Sequence, residues 1–244
     1  MSKVSDPNAK SGNGFIWGVG VLLVIIAVVI GYIVWNGKQA NEIEVQDVNM
    51  SMDYKDNAIT LKSDAADDDT PEVDLYEDFS CPHCADLAEN TDEDMKQAIE
   101  DGKLIVHVRT LNFLDGEDVE NEDGYSTKAV AAMSELAKSG DVKTYWNLRD
   151  YMMKNQQSIA TKWDMEDIAD QAKELGAEDD VVDSIKNVDI KQGNKMAKAN
   201  YDKLNKETGT VSSPRIIKDG KDVPSEKDQK AGKNLGDWVE IVTK

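Results

Sequence analysis

The sequence predicts an α/β fold interrupted by a helical insertion and preceded by a single transmembrane helix. Three observations carry this. Short stretches of alternating apolar residues flank a helix-period segment between residues 80 and 102. A long helical region follows, about residues 122–207, before extended patterning returns after Val211. Ahead of all this, residues 15–35 form an apolar run of 21 residues without an ionisable side chain.

That run, FIWGVGVLLVIIAVVIGYIVW from Phe15 to Trp35, spans roughly 30 Å as a helix, the thickness of a bilayer core. Trp17 at one end and Tyr32 and Trp35 at the other suit aromatic belts. A cleaved signal peptide has a shorter apolar region and a small-x-small site, and residues 35–40 lack the first small residue. An uncleaved anchor is therefore expected, with Gly14 and Gly18 as a weak helix-pairing motif. Lys3 and Lys10 against the acidic flank Glu42, Glu44 and Asp47 place the N-terminus in the cytoplasm and the remainder outside the cell membrane. The expected organisation is a cytoplasmic tail at 1–14, the anchor at 15–35, an acidic tether at 36–56, the first part of the α/β domain at 57–121, the helical insertion at 122–208 and the second part at 209–244. Net charge is −20, which argues against nucleic acid or anionic lipid as a partner.

Within the domain, Ile59 and Leu61 share one face of a first strand over 57–62. Residues 72–79 alternate, with Val73, Leu75, Glu77 and Phe79 on one face and Asp74, Tyr76 and Asp78 on the other. Leu87, Ala88, Met95 and Ile99 then recur at helical spacing up to Gly102. Residues 104–111 (LIVHVRTL) read as a strand buried on both faces, with His107 as a packed core histidine. Helices are expected over 125–138, 142–154, 163–175, 179–187 and 189–206, with Thr161 and Asp141 as caps and Gly140 and Gly176 as stops. Asp219-Gly220 makes a hairpin turn between 215–217 and Val223. Leu235, Trp238, Val239 and Val242 form the apolar stripe of a closing helix.

The only two cysteines stand in Cys81-Pro82-His83-Cys84, where a strand hands over to a helix. The loop they close is too short for its disulfide to constrain the unfolded chain much, which favours redox chemistry over stapling. A structural disulfide and a zinc half-site are the competing readings. Zinc needs four ligands, and beyond the cysteines the chain offers only His83, inside the loop, and His107. At a helix N-terminus the Cys81 sulfur meets unpaired N–H groups and the positive end of the macrodipole. Pro82 suits the first turn. His83 can donate to the thiolate or place a charge beside it, and Cys84, one turn further in, is the resolving thiol. Nine acids and no Lys or Arg lie between Pro71 and Lys96, and their field opposes a thiolate. Exposed charges beyond about 10 Å are screened, whereas the helix terminus acts in contact. The Cys81 pKa is therefore expected below the free-thiol value, falling further with added salt.

Phe79-Ser80-Cys81-Pro82-His83-Cys84 at a strand end, the long helical insert and a proline before a β-hairpin resemble the DsbA-like branch of the thioredoxin superfamily. With an N-terminal anchor the chain resembles its membrane-tethered, MdbA-type members from Gram-positive cells. The resemblance covers about residues 57–244. It implies a thioredoxin fold interrupted by a helical domain, no cofactor and no metal, and catalysis of disulfide formation in exported proteins bearing free thiols. It assigns catalysis to Cys81, Cys84, His83 and Pro82, and substrate binding to Pro214, as the cis-proline, and to Ser213 before it. The best-known members carry Val or Thr at the latter position. Many members have a buried acid six residues before the first cysteine. Leu75 stands there, and Glu77, on the same strand face, is the candidate proton relay for Cys84.

These readings combine in a membrane-anchored thiol:disulfide oxidoreductase acting as an oxidase, in which Cys81 forms a mixed disulfide with substrate. With no third cysteine, reoxidation must come from another molecule, which the resemblance implies is a quinone-linked membrane partner. A reductase or isomerase on the same scaffold and an inert, anchored binding protein with a structural Cys81–Cys84 disulfide are the alternatives.

Overall fold

The computed structural model describes residues 45–244 and, nearer the N-terminus, residues 18–23, 25, 26 and 28. Those N-terminal residues belong to a separate unit, Met1–Glu44. They are helical, and their apolar side chains, Val19 to Val28, are exposed. The rest of the expected anchor at 15–35 lies outside the described residues. Among the described residues no helix is long and apolar enough to cross a membrane.

Residues 45–244 are built on a six-stranded sheet of β1 (Ser51–Lys55), β2 (Ala58–Lys62), β3 (Glu72–Asp78), β4 (Ile105–Leu111), β5 (Arg215–Lys218) and β6 (Lys221–Val223). Their order across the sheet is β1-β2-β4-β3-β5-β6. β3 and β4 are parallel, joined by the crossover helix α1 (Pro82–Glu100); every other neighbouring pair is antiparallel. Six helices fill the stretch between β4 and β5: α2 (Tyr125–Ser139), α3 (Val142–Lys154), α4 (Gln156–Ile159), α5 (Met165–Glu174), α6 (Asp179–Asn187) and α7 (Ile190–Thr208). After β6 come α8 (Glu226–Lys230), a 3-10 turn at Leu235–Asp237 and α9 (Trp238–Thr243).

Helix ends follow the sequence closely. Gly140, at φ 78°, takes the left-handed position that closes α2, where a side chain would be strained. The Asp141 carboxylate then caps α3 by accepting from the Thr144 N–H. Thr161 is not a cap. Asp164 starts α5 instead, in a reciprocal capping box with Asp167. Trp238 of α9 is fully buried, and its indole N–H donates to Thr91 of α1 at 3.1 Å, fastening the last helix to the crossover helix.

Three expectations change. The stretch 36–56, read as an acidic tether, contributes β1, and Asp56 and Asn57 at φ 52° and 59° make the two-residue turn into β2. His107 does not sit in the core. It lies half-buried on the sheet surface, Nδ1 2.8 Å from Thr60 Oγ1 and Nε2 3.0 Å from Glu72. Finally, alternation in β3 gives way at its C-terminal end. Leu75, Tyr76, Glu77, Asp78 and Phe79 are all at most 3 % exposed, because helices cover both faces of this central strand.

Candidate active site

Cys81 is the residue before the first turn of α1, with Pro82 as the first helical residue. A proline fits there because that N–H has no intrahelical partner to lose. The Cys81 carbonyl starts the helix by accepting from Cys84 N (3.0 Å) and Ala85 N (3.3 Å). No side chain caps α1, and its first turn holds no acid. The open end of the helix is therefore left uncapped beside Cys81. Cys81 and Cys84 are both free thiols, 5 % and 3 % exposed.

The two sulfurs have opposite environments. The Cys84 thiol, the Ser213 hydroxyl and the backbone N–H groups of Cys84 and His83 all stabilise the Cys81 thiolate. Against the pull of burial they bring its pKa down to about 5. Cys84 moves the other way, far above an ordinary thiol, because it is buried deeper and shares its site with the Cys81 charge. Its sulfur accepts a long contact of 3.4 Å from the Asp78 N–H. One thiolate forms readily, the other only after the first has been consumed.

The proline of the expected substrate site is in place. Ser213-Pro214 is a cis peptide, and the Ser213 carbonyl lies 3.4 Å from the Cys81 sulfur. The Ser213 hydroxyl is buried and makes no hydrogen bond. A hydroxyl rotor left free in this way can turn toward a thiolate when one forms. Ser213→Ala is expected to raise the Cys81 pKa by roughly one to two units, the worth of a hydrogen bond to a charged group. Thiolate absorbance titration checks it, and an unchanged midpoint would remove Ser213 from the tuning of the site.

His83 departs from its expected role. Its imidazole is turned outward and largely exposed, with Nδ1 3.7 Å from Asp86, so only its backbone N–H acts on Cys81. Glu77 is buried but binds neither sulfur. Its carboxylate takes a two-pronged hydrogen bond from Arg149 of α3, at 2.9 Å to Nε and 2.6 Å to Nη2. Arg149 Nη1 reaches Asp92 of α1 at 2.5 Å. Arg149 and Glu77 are each 2 % exposed and Asp92 7 %. Burial opposes the Arg149 charge, but Asp92 and Glu77 outweigh it and hold its pKa well above normal. Two acids share one cation here. Asp92, the more weakly held, is pushed up to about 6 by burial. Glu77, Asp92 and Arg149 line a small cavity together with Cys84, Pro214 and Trp238.

Sequence reading passed over Asp92 and Arg149, and over a second network around Asp78. The Asp78 carboxylate accepts from Ser80 N (2.9 Å), Leu114 N (3.2 Å) and Ser126 Oγ (2.5 Å), and burial raises its pKa to about 6. One signal was available. The chain has three arginines, Arg109, Arg149 and Arg215, among 28 cationic residues. An arginine chosen in a lysine-rich chain points to fork-shaped hydrogen bonding. Each of the three holds an aspartate or a glutamate: Arg109 with Asp74, Arg149 with Glu77 and Asp92, Arg215 with Asp222.

A family model described as thioredoxin matches residues 66–237. Among solved structures, MdbA, a thiol-disulfide oxidoreductase from Corynebacterium diphtheriae, is 44 % identical, with 83 % of this chain and 99 % of that chain covered and a TM-score of 0.74. The chain belongs to the thioredoxin family, as a DsbA-like thiol:disulfide oxidoreductase of the MdbA type. MdbA from Corynebacterium matruchotii is similar at 40 % identity, covering 81 % of this chain and 94 % of that one, TM-score 0.73. DsbA from Mycobacterium tuberculosis, at 18 % identity and a TM-score of 0.53 over 77 % of this chain and all of its own, shares the fold. No curated protein sequence matches significantly. In this family setting the helices between β4 and β5 are insertions in a thioredoxin fold, and they supply Ser126, Arg149 and Gln156 to the surroundings of the thiols.

Proposed function

We propose that this thiol:disulfide oxidoreductase works outside the cell membrane, held by its N-terminal apolar segment, as an oxidase that introduces disulfides into exported proteins. The observation that carries the reading is the placement of the two free thiols, Cys81 at the uncapped N-terminus of α1 and Cys84 buried one turn further in, which brings the Cys81 pKa down to about 5 and pushes Cys84 up. An ordinary thiol with a pKa near 8.5 is about 3 % ionised at pH 7, so full ionisation raises the thiolate fraction about 30-fold. Intrinsic nucleophilicity falls with pKa, by roughly 40-fold over such a shift. The two effects cancel, and a low pKa leaves Cys81 no better an attacker than an ordinary cysteine. As a leaving group it gains, and the dithiol form becomes the more stable one. A site tuned in this way gives its disulfide away.

The sequence of events is short. A substrate thiolate attacks Cys81 of the Cys81–Cys84 disulfide, forming a mixed disulfide and releasing Cys84, which takes up a proton. A second substrate thiolate attacks the substrate sulfur, closing the substrate disulfide and releasing Cys81 as thiolate. The protein leaves with two electrons and needs a separate oxidant, proposed to be a quinone-linked membrane partner. Clients are exported proteins that are not yet folded, laid across the Ser213–Pro214 edge beside Cys81.

The redox equilibrium of residues 45–244 with glutathione tests the direction. A reduction potential near −120 mV is expected for an oxidase; one near −270 mV, as in thioredoxin, would make the protein a reductase.

A further inference from the structure

Besides Ser126, which meets Ser80 Oγ at 2.7 Å, the helical insertion reaches the dithiol turn through a second buried side chain that disulfide exchange as described above does not use. Gln156, the first residue of α4, is 3 % exposed. Its side-chain Nε2 donates to the carbonyl of Phe79 at 2.9 Å and to the carbonyl of Cys81 at 2.9 Å. An amide nitrogen has two hydrogens, so both are committed. The two carbonyls lie on either side of Ser80, between the end of β3 and the start of α1.

The Cys81 carbonyl does not need Gln156 to begin the helix, since it already accepts from Cys84 N and Ala85 N. The extra bond adds nothing to the helix count. What it does is fix the plane of the Cys81–Pro82 peptide from outside α1. The orientation of that peptide decides where the next N–H groups of the helix, those of His83 and Cys84, point, and Cys81 is the residue at that open, uncapped end of α1. The Phe79 bond holds the other side of the turn against the sheet. Phe79 itself is fully buried, so the turn is gripped at a point that cannot drift.

We propose that Gln156 is a positioning residue for disulfide exchange: its amide clamps the Phe79–Cys81 turn from the helical insertion and so aims the first N–H groups of α1 at the Cys81 sulfur. It touches neither sulfur nor substrate. Its consequence is that the insertion sets the reactivity of the thioredoxin-fold motif as well as covering it.

The test is Gln156→Met, which keeps the length and removes both donors, with Gln156→Asn, which keeps the amide and withdraws it by one methylene. In either folded variant the Cys81 midpoint, read by thiolate absorbance, should rise by about one unit, and the equilibrium with glutathione should shift about tenfold toward the disulfide form of the protein. Loss of thermal stability with an unchanged midpoint and unchanged equilibrium would reduce Gln156 to a structural residue and overturn the proposal. A measurement on the unaltered protein guards against variants that fail to fold. The Gln156 side-chain amide proton resonances should move with the ionisation of Cys81 in a pH titration, and resonances indifferent to it would equally sink the idea.

Discussion

Arg149→Met is expected to lower the unfolding free energy by about 3–5 kcal/mol, a large share of the 5–15 kcal/mol typical of a domain. The reason is the arrangement rather than the ion pairs as such. Arg149 is buried with Glu77 on one side and Asp92 on the other, and among the described residues its fork is the only cation paired with either of them. Removing it strands two carboxylates away from water, while methionine fills the space without a donor. Arg149→Lys should recover only part of the loss, because an ammonium cannot offer Glu77 a two-pronged bond and still reach Asp92. The loss should be smaller at pH 5 than at pH 7, shrinking as pH falls toward about 6, because Asp92 without its cation takes up a proton more readily than in the unaltered protein. Urea unfolding at pH 7 and pH 5 measures both effects. A loss under 1 kcal/mol at pH 7 would mean that water reaches the cluster and that the cavity below Cys84 is open.

Cys81→Ser should reduce disulfide exchange to the uncatalysed background, whereas Cys84→Ser should leave a protein that attacks disulfides once and stays joined to its target. Cys81 holds the accessible charge of the pair, and Cys84, with its raised pKa, is reached only after Cys81 is engaged. Alkylation of the reduced wild-type protein should follow a single ionisation near pH 5, with reactivity lost as pH falls through it. Stability follows with the same sign. The folded pKa lies below the ordinary thiol value of about 8.5, so the reduced protein gains stability as pH rises from about 5 toward 8.5 and loses it as pH falls back through that window to 5. The disulfide form carries no such group and should show no such dependence. An alkylation midpoint near 8.5, or single turnover persisting in Cys81→Ser, would transfer the chemistry to Cys84.

Much of this was legible in residue order. The strand at 72–79, the helix opening at Pro82, the bounds of α3 and α6 and the Asp219-Gly220 turn follow from period, caps and turn chemistry, all local signals. β1 was missed because Ser51–Lys55 is short, polar and only half-buried; its clue was the Asp56-Asn57 turn, two residues that tolerate a left-handed backbone. A histidine inside the motif can face either way, and His83 takes the outward orientation, largely exposed beside Asp86. Arg149, Asp92 and Gln156 could not be assigned from the chain. Each meets its partner across 57 or more residues, and no local pattern encodes such a meeting.

Those separations have a consequence for the newly made chain. Gln156 follows the cysteine it restrains by 75 residues and Ser213 by 132. At about 5–20 residues per second, a ribosome needs roughly 7–26 s to pass from Cys81 to Ser213. Throughout that interval the pair lacks the Ser213 hydroxyl, and the N–H groups of His83 and Cys84 next to it are not yet held in place by the clamp from Gln156 and the completed sheet. The dithiol thus acquires its full tuning only once the chain's own folding is nearly finished.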